Sequence, residues 1–491
     1  MREKSLLHMF QGTVPQLIAV LTGTIGAVSD GMHYGWTAPV LQVLDRNETH
    51  INLQEADHIW LESIYMIGGI TGLPVSIFAV DKIGRKGSIY MSAVISLISW
   101  ILIAIADHTA YLYVARFMVG LSGDVAFVAA PMYIAEIADK KIRGFLAGII
   151  YIMMLLGILL IYAVAPFVPF YVPSVIGSVL VIIQLVTFPF VPDSPYYLLQ
   201  IGKDAKARKH LHRLRGGENV DEELADIAAA VKRQKSEKGR PQDLIISKSN
   251  RKAVIIMLVL NVAQHFSSIS VMLMNLHEIL EAADSEYMSA ETAAILFAAL
   301  MLIAATIADF VVDKFGRKGL LTVSSLLTGL SLLVLAVYFT FKNQNYDVSG
   351  VSWIPVASVM VYAAVFKFGL GIIPIVMTAE LFPAKVKAMG MTIADFIYVL
   401  FAWISVEFYQ RLSGLYGPEV PFYVFSFSCI LTALFAQFYI PETKGKTLEE
   451  IQFILKGVPF PMRSNSLRSE SSPQVAVEGR NNGDQKKEDC V

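Results

Sequence analysis

The heptapeptide Asp81-Lys82-Ile83-Gly84-Arg85-Lys86-Gly87 returns as Asp313-Lys314-Phe315-Gly316-Arg317-Lys318-Gly319, each copy set between two apolar stretches long enough to cross a bilayer. Two further pairs follow in the same order. Glu136-Ile137-Ala138-Asp139-Lys140-Lys141-Ile142-Arg143-Gly144 is echoed by Glu380-Leu381-Phe382-Pro383-Ala384-Lys385-Val386-Lys387-Ala388, and Pro192-Asp193-Ser194-Pro195 by Pro441-Glu442-Thr443-Lys444. Pairs repeated in one order at similar separations make a parallel duplication, two copies of one bundle in one membrane.

Composition leads to the same place. Of 491 residues, 55% are hydrophobic and 16% charged, with a mean hydropathy of +0.55; a soluble globule carries about a quarter charged residues. The chain is therefore read as a polytopic membrane protein whose first partner is the lipid bilayer. Its formal net charge of -1 gives no reason to expect a nucleic-acid partner. Cys429 lies in the last apolar span and Cys490 in the polar tail, so no disulfide framework exists. There is no Gly-x-Ser-x-Gly elbow, no His-Glu-x-x-His helix and no phosphate-binding Gly-Lys-Ser/Thr loop. No catalytic residue, cofactor or metal is expected.

At about twenty apolar residues per crossing the sequence holds about twelve helices. They fall near 14–37, 57–80, 88–106, 111–135, 145–167, 170–191, 253–275, 289–312, 319–340, 353–378, 389–410 and 420–440. The first run continues as far as Trp36 and is read as a helix, not a cleaved signal. The expected organisation is an N-terminal segment 1–13, a six-helix bundle 14–191, a linker 192–252, a second bundle 253–440 and a tail 441–491 that is disordered after about 457. In the linker, Lys203–Arg215 and Asp221–Lys238 predict amphipathic helices that bury Leu211, Leu214, Leu224, Ile227 and Val231 beneath the membrane portion. The tail serines, among them Ser464 and Ser469, are candidate phosphorylation sites and a place for regulatory proteins to dock.

Basic residues set the orientation. Arg2, Lys82, Arg85, Lys86, Lys140, Arg143, Lys314, Arg317, Lys318 and Lys387 fall on one side of this threading, which the positive-inside rule makes cytoplasmic, together with both termini. Asn47-Glu48-Thr49 then faces outward as a glycosylation acceptor of a multi-pass plasma-membrane glycoprotein.

At this point the residues resemble a family. The paired Gly-Arg-Lys loops, Arg116, Glu136 with Arg143-Gly144, Pro192-Asp193-Ser194-Pro195, Gln264, Pro374 with Glu380, and Pro441-Glu442-Thr443-Lys444-Gly445 are together similar to the sugar-porter family of the major facilitator superfamily. The stretch Gly31-Met32-His33-Tyr34-Gly35-Trp36-Thr37-Ala38-Pro39 further resembles the arthropod facilitated trehalose transporter group. The resemblance implies an all-α major-facilitator fold of two pseudo-symmetric six-helix bundles, with the first, fourth, seventh and tenth helices lining a central cavity. It also implies a carrier moving a small polar solute, a sugar such as trehalose or a hexose, by alternating access, as a uniporter or coupled to protons.

Two sets of candidate residues follow. Asp81, Gly84, Arg85, Glu136, Arg143, Asp193, Asp313, Gly316, Arg317, Glu380 and Glu442 form the expected cytoplasmic gate. Glycine permits the tight reversal and arginine offers a forked donor to carboxylates, with Glu136 and Glu442 as partners in one half and Glu380 and Asp193 in the other. Asp30, His33, Asp124, Gln264, His265, Ser267, Ser270, Lys367 and Pro374 are the expected substrate or coupling residues. A charge at the bilayer centre costs at least about 2.5–3.5 kcal/mol, so the charged members should share a cavity. Asp30 and His33 are the candidates to carry a proton.

Several positions depart from the family's pattern. His265 stands for the second of a glutamine pair, Ser267-Ser268-Ile269-Ser270 replaces Ser-Gly-x-Asn, Ile375 stands for a tryptophan, and Lys367 falls near a cavity glutamate. Two alternatives therefore remain open beside the sugar carrier: a carrier of charged or anionic solutes using Lys367 and His265, and a transporter-like nutrient sensor without net transport.

Overall fold

In hydrocarbon every backbone N–H and C=O must find a partner within the chain, so runs of Leu, Ile, Val, Ala and Phe this long can only be helical. The computed structural model describes residues 2–45, 51, 53–139, 142–217, 219–236, 242–383, 386–446 and 448–458. Asn47, the tail serines and the side chain of Asp313 lie outside the described residues. Eleven helical spans among them are long and apolar enough to cross a membrane, and the first helix, packed against two of these, brings the number to twelve.

The first bundle consists of α1 (Arg2–Tyr34), α2 (Glu55–Lys82), α3 (Gly84–Ala104), α4 (Thr109–Ile137), α5 (Arg143–Val164) and α6 (Val172–Thr187). The second consists of α7 (Lys248–His265, resumed as Ile269–Met274), α8 (Ala290–Phe315), α9 (Arg317–Asn343), α10 (Ile354–Phe368, resumed as Ile373–Leu381), α11 (Lys387–Tyr416) and α12 (Glu419–Tyr439). The packing repeats with a shift of six helices. α1 packs on α5 as α7 does on α11, α2 on α4 as α8 on α10, and α3 on α6 as α9 on α12. Between the bundles α2 meets α11 and α5 meets α8, which are equivalent contacts under the same exchange. The chain is thus an all-helical two-bundle membrane protein.

The expected spans are corrected at three places. α1 is helical from Arg2 and ends at Tyr34, where Gly35 and Trp36 separate it from a short helix, Thr37–Asp45. α7 is interrupted after His265, with Ser268 left-handed at φ 75°, and α10 is interrupted between Phe368 and Ile373, just before Pro374. Proline lacks the N–H that would continue the ladder, so α10 restarts there instead of running through.

Between the bundles, helices Asp204–Leu214 and Asp221–Ser236 bury Leu211, Leu214, Ile227 and Val231. They are fastened to the first bundle, since Arg215 Nη1 donates to the Ile137 carbonyl (3.0 Å) and Gln16 Nε2 to that of Leu214 (3.4 Å).

Glycines set how closely helices cross. A Cβ on Gly31 of α1 would lie 1.9 Å from the Met154 carbonyl oxygen on α5, and one on Gly157 of α5 would lie 1.9 Å from that of Val28. Backbone rests on backbone at this crossing, and nothing flexible can yield. Gly31→Ala and Gly157→Ala are each expected to cost about 1–3 kcal/mol, read as a lower unfolding midpoint of the detergent-purified protein. Gly144→Ala, with no atom within 4 Å, should leave it unchanged, and equal loss at all three sites would contradict the close crossing.

Candidate functional site

Between α2 and α3, and between α8 and α9, the chain reverses at a glycine with positive φ, 81° at Gly84 and 84° at Gly316. Each turn presents an arginine to a carboxylate of its own bundle. Arg85 Nε and Nη2 both lie 2.8 Å from Glu136 Oε1, and Arg317 Nη2 lies 3.0 Å from Glu380 Oε1. The second oxygen of each carboxylate is also held, that of Glu136 by the Ser194 hydroxyl and that of Glu380 by Thr443 Oγ1 at 2.6 Å. Even the remaining nitrogens match: Arg85 Nη1 donates to the Val80 carbonyl and Arg317 Nη1 to that of Val312. Six crossings separate the two turns, so both lie on one side of the membrane, called here the basic side.

The expected gate pairing is corrected. Glu442 does not pair with a guanidinium in the first bundle; its carboxylate accepts the backbone N–H groups of Arg317 (3.0 Å) and Lys318 (3.1 Å), capping the start of α9. Burial works against that charge, but the backbone donors outweigh it and hold the Glu442 carboxyl below its ordinary range. The cap is therefore present above the usual carboxylate range and weakens as pH falls through the lowered value. Asp193 does not reach Arg317. Its carboxylate accepts the Ser194 backbone N–H (2.8 Å), while its own backbone N–H donates to His210 Nδ1 (2.8 Å), an acceptor because burial keeps that imidazole below its usual pKa. Asp81 is exposed, and Arg143 donates to the Ala138 carbonyl (3.2 Å). A side chain at the start of a helix reaches its neighbour in the same bundle more readily than a partner across the interface.

Within the membrane-spanning part the first bundle and α11 line a cavity of about 130 Å³. Asp30 on α1, Asp124 on α4 and Asp395 on α11 line it, with Tyr65, Phe127 and Tyr398 as aromatic walls. Asp124 accepts from Ser76 Oγ (2.6 Å), while Asp30 and Asp395 make no hydrogen bond among the described residues. Among the described residues no Lys, Arg or His lines it. Arg116 stands behind the Tyr65 ring, 4.4 Å from its centroid, fully buried and donating to the carbonyls of Leu61 and His33.

On the side away from the basic turns the bundles are joined by hydrogen bonds. Tyr34 and Ser270 share one at 3.0 Å, Tyr162 donates to the Leu273 carbonyl (2.7 Å) and Thr37 to that of Met274 (3.3 Å). Glu62, 1% exposed, accepts Asn275 Nδ2 (2.8 Å) and Gln410 Nε2 (3.1 Å), and the Ser63 hydroxyl donates to Glu407. These contacts roof the cavity.

Several expected substrate residues therefore sit elsewhere. His33 is fully buried in the first bundle, its ring stacked 3.5 Å from that of Trp100, because three residues along a helix is a 60° offset from Asp30 and turns it away from the void. His265, Ser267 and Ser270 belong to the roof: His265 Nδ1 bonds Ser270 (2.9 Å), its ring abuts Tyr398 edge-on, and Ser267 donates to the Gln264 carbonyl (2.6 Å). Gln264 is 5% exposed, and Pro374 is buried at the α10 break. Lys367 does not line the cavity; it interacts electrostatically with Asp309, which touches Gly148 of α5. Sequence reasoning missed Asp395, which the cost of an intramembrane charge flags as well as it flags Asp124. It also missed Glu62, which the same cost flags, and the roles of the Ser194 and Thr443 hydroxyls, which carry no signal until their partner carboxylates are placed.

Two pseudo-symmetric six-helix bundles around a roofed cavity define the major-facilitator fold. The chain belongs to the family described as "Sugar (and other) transporter", which matches residues 16–455. It is 30% identical over 447 residues to a facilitated trehalose transporter Tret1 of Aedes aegypti, covering 90% of this chain and 55% of that protein. The chain thus spans about half the length of that relative. It is 29% identical over 449 residues to a protein of the same name from Culex quinquefasciatus, covering 90% of this chain and 86% of that one. Among solved structures it is similar to the proton:xylose symporter XylE bound to 6-bromo-6-deoxy-D-glucose, with a TM-score of 0.70 at 22% identity over 89% of this chain and 99% of that one. An inward open conformation of the E. coli xylose transporter XylE gives a TM-score of 0.69 at 22% identity, over 91% and 99%. At that identity the likeness speaks for the fold.

Two outcomes are expected. Arg85→Ala leaves the buried Glu136 without its guanidinium and should cost about 3–5 kcal/mol of stability, against about 1–3 for Ser194→Ala, both read by thermal unfolding. Glu62→Ala strands Asn275 and Gln410 and should speed thiol labelling of Ser270→Cys from the roof side about tenfold; an unaltered rate would assign the roof to apolar packing alone.

Proposed function

We propose that this chain carries a small hydroxyl-rich solute, a sugar such as trehalose or a hexose, across the plasma membrane by alternating access. The observation that carries the reading is the cavity that Asp30, Asp124 and Asp395 line among apolar and aromatic walls, closed on one side by contacts that both bundles contribute. The names of the relatives support the solute class. The excess of Lys and Arg near the turns supports placing the basic side and both termini in the cytoplasm. The roof is then extracellular, and this conformation presents its cavity inward.

A hydroxyl needs an acceptor for its proton, which the open carboxylates of Asp30 and Asp395 supply, and a sugar's apolar face needs a flat neighbour, which Tyr65 and Tyr398 supply. The roof bonds are mostly between neutral groups, each worth about 0.5–1.5 kcal/mol net, so water can replace them when the bundles rock outward. That movement would expose the α7 residues Gln264, His265, Ser267 and Ser270 to a second, outward cavity. With His33 locked against Trp100, Asp30 is the remaining first-helix group for any proton coupling. An anion carrier is disfavoured, because three carboxylates and no lining cation face the cavity.

The test is uptake of labelled trehalose and glucose by the full chain in liposomes, with and without an imposed proton gradient. Saturable equilibration of at least one is the expected outcome, and accumulation only with the gradient would mark coupling. Binding without flux would overturn the carrier reading in favour of the sensor.

A further inference from the structure

The cavity's polar inventory is unbalanced. Its acceptors are open: Asp30 and Asp395 have no donor among the described residues, and Asp124 has one. Gln184 adds to the excess, being 2% exposed, with Nε2 spent on the Gly23 carbonyl (3.1 Å) and Oε1 left without a donor among the described residues. The serine donors in the same wall are already committed, which leaves, among the described residues, the Tyr65 and Tyr398 hydroxyls as open donors against three carboxylates. Ser92 Oγ gives its proton to the Ser122 carbonyl (2.7 Å), and Ser96 is bonded to Ser29 (3.2 Å). An ionised carboxylate can only accept, so these walls ask for a ligand with protons to give.

We infer that this cavity prefers a solute bearing a protonated amine on a polyol frame over the neutral sugar of the same size. The inference rests on the carrier reading and names the substrate class of that same site. A sugar hydroxyl brings lone pairs with each proton, and those lone pairs would face carboxylate oxygens. An ammonium brings three donors and no acceptor. It also relieves the mutual repulsion of Asp124 and Asp395, which interact across the cavity from different bundles. The aromatic walls add to this, because a cation over a tyrosine face is attracted by the ring quadrupole. A bare metal ion is the wrong size: among the described residues no three His, Cys, Asp or Glu side chains converge closely enough to hold one. The match is to an extended organic cation that spans the carboxylates.

The experiment uses the full chain in liposomes at neutral pH, with radiolabelled glucose, glucosamine and glucuronate, which share a ring and each differ from glucose in one substituent. Charge-assisted hydrogen bonds are about twice as strong as neutral ones, so glucosamine should show a KM about tenfold below that of glucose, with glucuronate excluded. In Asp395→Asn and Asp30→Asn the glucose-to-glucosamine KM ratio should fall about fivefold, a ratio that does not depend on how much protein folds. Equal handling of glucose and glucosamine in the unaltered protein, or an unchanged ratio in both variants, overturns the inference and leaves the carrier reading standing. Uptake of trehalose or glucose with none of glucosamine does the same. Failure to move any sugar at all overturns both.

Discussion

Each bundle depends on one arrangement: an arginine at the start of a helix, held by a carboxylate at the end of the next, with a hydroxyl from the segment after the bundle completing that carboxylate's bonds. Arg85, Glu136 and Ser194 make it once, and Arg317, Glu380 and Thr443 make it again. A guanidinium buried this far needs its counter-charge, and the carboxylate needs more than one donor to tolerate the same burial. Three separate pieces of chain are therefore tied at one point on the basic side, and the bundle above it behaves as a body. The clamps keep each bundle stiff from outside the cavity, whose lining includes none of these six residues.

The repeat of these residues is what made the fold legible. Heptapeptides in the same register, flanked by apolar runs, specify two like bundles, and the shift of six in the helix packing is the same statement in space. Pairing partners were less legible. Glu442 and Asp193 carry charge of the right sign in the right motif, yet both carboxylates serve backbone N–H groups. Motif position says which side of the membrane a residue occupies, and only the path of the chain says which neighbour it meets. The cavity was half legible. Asp30 and Asp124 follow from the cost of charge in hydrocarbon, and the same cost applies to Asp395. His33 and His265 do not follow, because an imidazole is neutral often enough to be packed as an aromatic ring, and both are packed so here.

The structure also divides the polar residues by task. Asp30, Asp124 and Asp395 line the void, while the Tyr34, Tyr162 and Ser270 hydroxyls and the amides of Asn275 and Gln410 hold the roof. Groups that can exchange partners with water at little net cost suit a contact made and broken in every cycle. Groups that accept only suit a chamber that stays wet until a ligand arrives.

The crossing of α1 and α5 at Gly31 and Gly157 has a mechanical sequel. With main chain seated on main chain, the two helices form a plank that has no slack along its length. One edge of that plank carries Asp30 into the void; the other rests on the second bundle, where Gly148 lies under the Asp309 carboxylate. A displacement of the first edge therefore carries the second with it, through main chain and without a relay of side chains.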